Sequence, residues 1–142
     1  MKLVQHLLNA KGRNVISIEP ETSVLDAIKL MAEKGIGSVV VMADGKLCGI
    51  MTERDYARKV IIKGRASDTT PVSDIMTGEV KTTSPDATVD SCMQMMTDLK
   101  CRHLPVVEGG DVVAMISIGD LVQAIIADQK EEIEQLEHYI AG

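Results

Sequence analysis

Two short stretches carry a hydroxyl residue and a carboxylate three positions apart: Thr52 and Asp55 in GIMTERD, and Ser117 and Asp120 in AMISIGD. This spacing is the capping-box pattern, in which the pair satisfies free backbone N–H groups at a helix start. A single occurrence would be read as a cap and no more. Three features carry the reading further. A helix start is itself a site for an anion, because its unpaired N–H groups and the positive end of the helix dipole both favour negative charge. Arg54 lies inside the first stretch and Arg58, Lys59, Lys63 and Arg65 follow, so the most basic part of the chain sits at and after this turn. A short carboxylate in a first helical turn can also accept two hydrogen bonds from a vicinal diol, as the acidic residue of dinucleotide folds does with ribose. Phosphate, ribose and an aliphatic slot for a base together describe a nucleotide.

The elements that must position these turns repeat as well. Residues 15–61 lie over residues 80–126 without a gap, pairing Pro20 with Pro85, Val24 with Val89, Met31 with Met96, Gly45 with Gly110 and Asp55 with Asp120. Only eight of 47 positions are identical, but the apolar pattern coincides throughout, which a duplicated supersecondary unit explains. Each unit is predicted to begin with a short strand, VISIE or VKTTS, and a turn at the proline. A helix follows, capped by Ser23 or Thr88, with apolar residues at helical spacing: Val24, Ala27, Ile28 and Met31, then Val89, Cys92, Met93 and Met96. Two apolar runs separated by ADG or EGG read as a hairpin, and the Thr/Ser-x-x-Asp turn opens a second helix.

Similar lead-ins, VQHLLN at 4–9 and VSDIMT at 72–77, precede the two units. The expected organisation is a first repeat with its lead-in over 1–64, a linker over 65–71, a second repeat over 72–127 and an acidic amphipathic helix over 128–142. In that last segment, together with Ile126 before it, Ile133, Leu136 and Ile140 fall at heptad spacing. It is read either as a helix laid on its own domain or as a dimer contact.

At 142 residues the chain forms one domain or two small halves that need each other, since about 65 residues alone are marginal. Apolar residues at 45% and charged residues at 25% argue against disorder. A net charge of -6, the absence of Trp and Phe, and only two Tyr disfavour nucleic acid as a partner. Cys48, Cys92 and Cys101 lack metal or redox spacing and read as buried thiols in a reducing compartment. The N-terminus lacks a secretory signal and no apolar run approaches a membrane span, so a cytoplasmic protein without a membrane partner is expected. Cys101 and His103 invite a nucleophile-and-base reading, but no third group orients them, and a core thiol beside a pocket-wall histidine is preferred. His6 and His138 lie near the ends without ligand spacing, so no metal is expected. CMQMM reads as core packing rather than a soft-metal face.

Two copies of strand, helix, strand, strand, helix, each with G-h-x-T/S-x-x-D or a near variant, together with the DIMT and RHLPVV segments, resemble a tandem cystathionine-β-synthase (CBS) domain pair over about residues 4 to 126. The resemblance implies an α/β fold of two β-α-β-β-α repeats related by pseudo-twofold symmetry, with the C-terminal helix appended. It implies a regulatory module that binds an adenosine nucleotide (AMP, ADP or ATP, with NAD the alternative) between the repeats and signals to a separate effector protein. A homodimer follows by the same analogy. Carried onto this sequence, Asp55 and Asp120 would hold ribose hydroxyls, Thr52 and Ser117 would bind phosphate or ribose, and Arg54 would reach phosphate. Gly37, Ser38 and Val39, with Arg102, His103 and Leu104, would offer backbone hydrogen bonds and walls for adenine. Thr77 and Val80, with Asn9 and Val15, would close the pocket. In the second copy Ala114 replaces the motif glycine and Ile118 and Gly119 stand where Glu53 and Arg54 do. Its cation would have to be Arg102, His103 or a basic residue from the other half. No catalytic constellation is present and no enzyme activity is expected. Two rival readings are a structural scaffold without ligand, and nucleotide hydrolysis using Asp55 or His103.

Overall fold

The computed structural model of the chain describes residues 2–141. They divide into two compact units, one from Val15 to Lys81 and the other joining the chain up to Asn14 with that from Thr82 onward.

In the first unit, β1 (Ser17–Ile18) pairs in parallel with β2 (Ser38–Ala43), and β2 pairs antiparallel with β3 (Lys46–Thr52). The hairpin turns at Asp44 and Gly45, both with positive φ, which is the geometry the ADG sequence demands. Helix α2 (Val24–Lys34) connects β1 to β2. Its start is fixed by Ser23, whose Oγ accepts the Asp26 N–H at 3.1 Å, and its end by Gly35 in the left-handed region. It buries Val24, Ala27 and Met31 against Val39, Val41 and Met51 of the sheet. After Thr52 come α3 (Glu53–Tyr56) and, continuous with it, a π-helical turn over Ala57–Ile61 that buries Val60.

Residues 65–71, expected as a linker, are fastened to this unit: Val24 N–H donates to the Thr70 carbonyl at 2.8 Å, and the Tyr56 and Ser67 hydroxyls lie 3.1 Å apart. The VSDIMT segment follows as a 3₁₀ turn over Val72–Asp74, with Val72 and Ile75 in the core of this unit. Thr77 then exchanges both backbone hydrogen bonds with Ile50 at 2.9 and 3.1 Å. This crossing explains the motif glycine. A Cβ on Gly49 would come within 3.1 Å of the Thr77 carbonyl oxygen and collide with the Met76 side chain.

The second unit repeats the plan with α4 (Val89–Leu99), β4 (His103–Glu108), β5 (Asp111–Ser117) and α5 (Ile118–Ala141). Thr88 caps α4 by accepting the Ser91 N–H at 3.0 Å, and Gly109 and Gly110 make the hairpin turn with positive φ. The hairpin register shifts between Val106 and Val107, the counterpart of the shift between Val41 and Met42 in β2. The strand expected over VKTTS shrinks to one parallel bridge between Thr83 and Val106. The reason is chemical: Val40 donates its N–H to Ile16, whereas the equivalent Pro105 has none to give.

Helix α1 (Val4–Lys11), expected with the first repeat, belongs to this second unit, where Val4, Leu7 and Leu8 pack with Val89, Cys92, Met96 and Leu121. His6 helps to cap it, its Nδ1 accepting the Leu3 N–H at 3.1 Å. The two lead-ins therefore complete different units from those their order in the chain suggests. The acidic tail is also not a separate element. Helix α5 runs unbroken for 24 residues from the Ser117 turn to Ala141. Of the three free thiols only Cys92 is fully buried, its Sγ 3.2 Å from Thr83 Oγ1, while Cys48 and Cys101 are half-buried.

Candidate functional site

Each of the two turns is built by a hairpin. In the first unit Ser38 stands opposite Thr52 in the β2–β3 register, and the Glu53 N–H donates to the Gly37 carbonyl at 3.1 Å. In the second, His103 stands opposite Ser117 and the Ile118 N–H donates to the Arg102 carbonyl at 2.8 Å. The hairpin thus delivers the hydroxyl residue at the end of its second strand, beside the first residues of its partner strand. The structure brings together Gly37, Ser38, Thr52 and Asp55 in one unit and Arg102, His103, Ser117 and Asp120 in the other.

The capping boxes expected from the spacing form in both copies. Asp55 Oδ2 accepts the Thr52 N–H at 3.0 Å and the Thr52 hydroxyl at 3.1 Å, while Thr52 Oγ1 accepts the Asp55 N–H at 3.1 Å. Asp120 Oδ2 accepts the Ser117 N–H at 2.8 Å, and Ser117 Oγ accepts the Asp120 N–H at 3.2 Å. Capping and ligand binding are compatible, because an ionised carboxylate offers about four acceptor positions.

A lysine accompanies each carboxylate. Lys59, one turn along the helix, places Nζ 3.1 Å from Asp55 Oδ1 and 2.9 Å from the Ile75 carbonyl oxygen. Lys11, from the end of α1, donates to Asp120 Oδ2 and to the Met115 carbonyl. Burial raises the pKa of Asp120, but the hydrogen bond from Lys11, the Ser117 N–H, the charge of Lys11 and the Ser117 hydroxyl outweigh it and hold the group below the usual carboxylate value. The cation that the second turn lacks in sequence is therefore supplied from 109 residues away. Sequence reasoning missed Lys11, since nothing local to AMISIGD points to it.

The remaining candidates lie as follows. Arg54 is exposed on the first helical turn. Val39 and Leu104 are core residues, their side chains packed into their units' hydrophobic clusters, with their backbone along the strands that carry Gly37 and Arg102. Thr77 lies beside Ile50, two residues before Thr52 on β3. Val15 and Val80 are half-buried in the first unit. Asn9 is exposed on α1, in the other unit from Val15.

A model of the CBS domain matches residues 11–62 and again residues 72–127. The chain belongs to the CBS domain family. As a CBS pair it is similar, at 39% identity over 98% of its length, to the mitochondrial CBS domain-containing protein CBSX3 of Arabidopsis thaliana, of which it covers 72%. Among solved structures, a protein with CBS domains from Burkholderia ambifaria MC40-6 superposes with a TM-score of 0.87 at 47% identity, over 90% of this chain and 96% of that one. The CBS domain pair of protein MJ0100, solved with 5′-methylthioadenosine and S-adenosyl-L-methionine, superposes with a TM-score of 0.80 at 25% identity, over 90% of this chain and 98% of that one. Among the described residues no helix is long and apolar enough to cross a membrane, and no group of three or more His, Cys, Asp and Glu is arranged to hold a metal ion.

Proposed function

We propose that this CBS pair is a regulatory sensor that binds an adenosine nucleotide, AMP, ADP or ATP, at the Thr52–Asp55 turn and its Ser117–Asp120 counterpart, and signals to a separate effector protein by changing conformation. The observation that carries this is the twin turn: a hydroxyl and a carboxylate held by the same capping bonds at the end of each hairpin, each with a lysine at the carboxylate. Two adenosine compounds in the similar pair of MJ0100 support adenosine as the ligand class.

In this reading Asp55 and Asp120 accept the ribose hydroxyls, and Thr52 and Ser117 share the ribose or an adjacent phosphate oxygen. Arg54 and Lys59 serve phosphate at the first turn and Lys11 at the second. The Gly37 and Arg102 carbonyls, each with one lone pair given to the helix start, accept from the adenine amino group with the other, and Ser38, Val39, His103 and Leu104 contribute backbone along the same strands. Thr77, Val80, Asn9 and Val15 are peripheral contacts. A nucleotide at Asp120 draws Lys11 from carboxylate to phosphate and so loosens the end of α1, giving binding a mechanical consequence that an effector can read. The chemistry is recognition; no bond is made or broken.

Thermal unfolding with AMP, ADP, ATP, NAD and inorganic phosphate in turn tests this. A ligand at about 100 times its Kd stabilises by ~2.7 kcal/mol, which is roughly 5–10 °C for a chain of this size. An adenosine nucleotide is expected to shift the midpoint by that amount and phosphate alone is not. A response to NAD alone reassigns the ligand, and no response to any of them overturns the proposal.

A further inference from the structure

Past the Thr52 turn, the first unit carries a surface that its own fold does not use. The π-helical turn over Ala57–Ile61 buries Val60 and leaves Ala57, Arg58, Ile61 and Ile62 exposed, the two isoleucines by 59% and 75%. Residues four apart on a helix are neighbours, so Ala57 lies beside Ile61 and Arg58 beside Ile62. The helix closes on Gly64 in the left-handed region, whose N–H donates to the Ile61 carbonyl at 3.2 Å, while the Arg65 N–H donates to the Val60 carbonyl at 2.9 Å. In this form of helix end an apolar residue after the glycine frequently packs back on the helix. Here that residue is Arg65, so the returning chain brings a cation to the last turn.

Cations near a helix C-terminus favour its dipole, which accounts for some of this charge but not for two uncovered isoleucines. Nor does the fold require it, since in the second repeat Gln123 stands where Arg58 does and Ala124 where Lys59 does. From Tyr56 to Ser67 there is no acidic residue. Lys59 is engaged with Asp55, but the side chains of Arg58, Lys63 and Arg65 make no hydrogen bond or ion pair among the described residues. Aliphatic area among unpaired cations selects an occupant that is both apolar and negative. An anionic membrane has that chemistry, but it is an extended plane, and at a net charge of -6 the chain outside this patch is acidic. Charges act over about 8–10 Å at physiological salt, so the plane meets repulsion from the rest of the surface, whereas a short polypeptide segment meets the patch alone.

We infer that Arg58, Ile61, Ile62, Lys63 and Arg65 form a docking surface for an acidic segment of a separate protein that carries leucine or isoleucine at helical spacing. This does not rest on nucleotide binding, in which Arg54 and Lys59 serve the phosphate, and it is tested without nucleotide. The probe is a synthetic helical peptide of glutamate, alanine and regularly spaced leucine, tagged with one tryptophan as a fluorescent reporter, because the protein has none. The intact protein is expected to bind it with an affinity that falls as salt is raised. Lys63→Glu/Arg65→Glu and Ile61→Ser/Ile62→Ser, all at exposed positions, are expected to keep the parent's circular dichroism and thermal midpoint and each to weaken binding about tenfold. No binding of the peptide, or binding unchanged by both variants, overturns the proposal, as does equal affinity for the peptide with lysine in place of glutamate. Sedimentation of the protein with phosphatidylserine vesicles, lost in Ile61→Ser/Ile62→Ser, would assign the patch to a membrane and overturn it too. So would an association between copies that either variant abolishes.

Discussion

At Asp120, burial and charge pull the carboxyl in opposite directions, and charge wins. Its folded pKa therefore lies below the unfolded value of about 3.9. A group shifted downwards contributes stability that is fully present above its unfolded pKa and is lost as pH falls through its folded pKa. Asp120→Asn should thus be less stable than the parent at pH 7 and should decline less steeply between about pH 4 and pH 2. Urea unfolding across that range measures both, and parallel declines would contradict the assignment of this carboxylate. The residue types of the two turns were legible in the sequence, because capping depends on atoms three positions apart. Lys11 was not, because its link to Asp120 exists only once α1 has docked. Nor could the sequence reveal that Val39 and Leu104 turn their side chains inward, since in apolar strands both faces can be core.

Among the elements, α2 and α4 show how one plan is met with unequal chemistry. Both end in the left-handed region, α2 at Gly35 with φ 65° and α4 at Lys100 with φ 54°. Glycine adopts that conformation freely, whereas a residue with a Cβ is strained there by roughly 1–2 kcal/mol. Replacing Lys100 by Gly is expected to raise stability by about 0.5–1 kcal/mol, part of the relief being offset by the greater entropy of the unfolded chain. A fall in the urea midpoint would show that the lysine side chain contributes more than the strain it costs. Helices, caps and hairpin turns could be read from the sequence because each depends on local pattern. Two boundaries could not. The heptad pattern in the tail concealed that α5 continues from the turn without a break, and Pro105 gave no local warning that the strand facing it would shrink to one bridge.

For the whole molecule, the exchange of lead-ins ties the beginning of the chain to its last repeat. Residues 4–11 supply Val4, Leu7 and Leu8 to a core whose other members start at Val89. Burial of such side chains is worth ~1.5–3 kcal/mol each, and together they approach the entire stability of a small domain. Deleting residues 1–12 is therefore expected to unfold the unit containing β4 and β5 while leaving residues 15–81 with their own core intact. Loss of amide hydrogen-exchange protection confined to residues 82–125 would show this, and protection unchanged there would contradict it. The repeat itself was visible in the sequence, but which lead-in completes which repeat is decided by packing between segments far apart in the chain.

If the carboxylates of the two capped turns hold ribose as well as helix ends, their loss must be felt in nucleotide affinity. Isothermal titration of AMP into the intact protein, Asp55→Asn and Asp120→Asn, each shown to be folded, measures this. Removing a charged acceptor that is worth ~1.5–3 kcal/mol should weaken binding roughly ten- to a hundredfold at the turn that carries the nucleotide. AMP bound equally well by all three proteins would mean that these residues cap helices and nothing more.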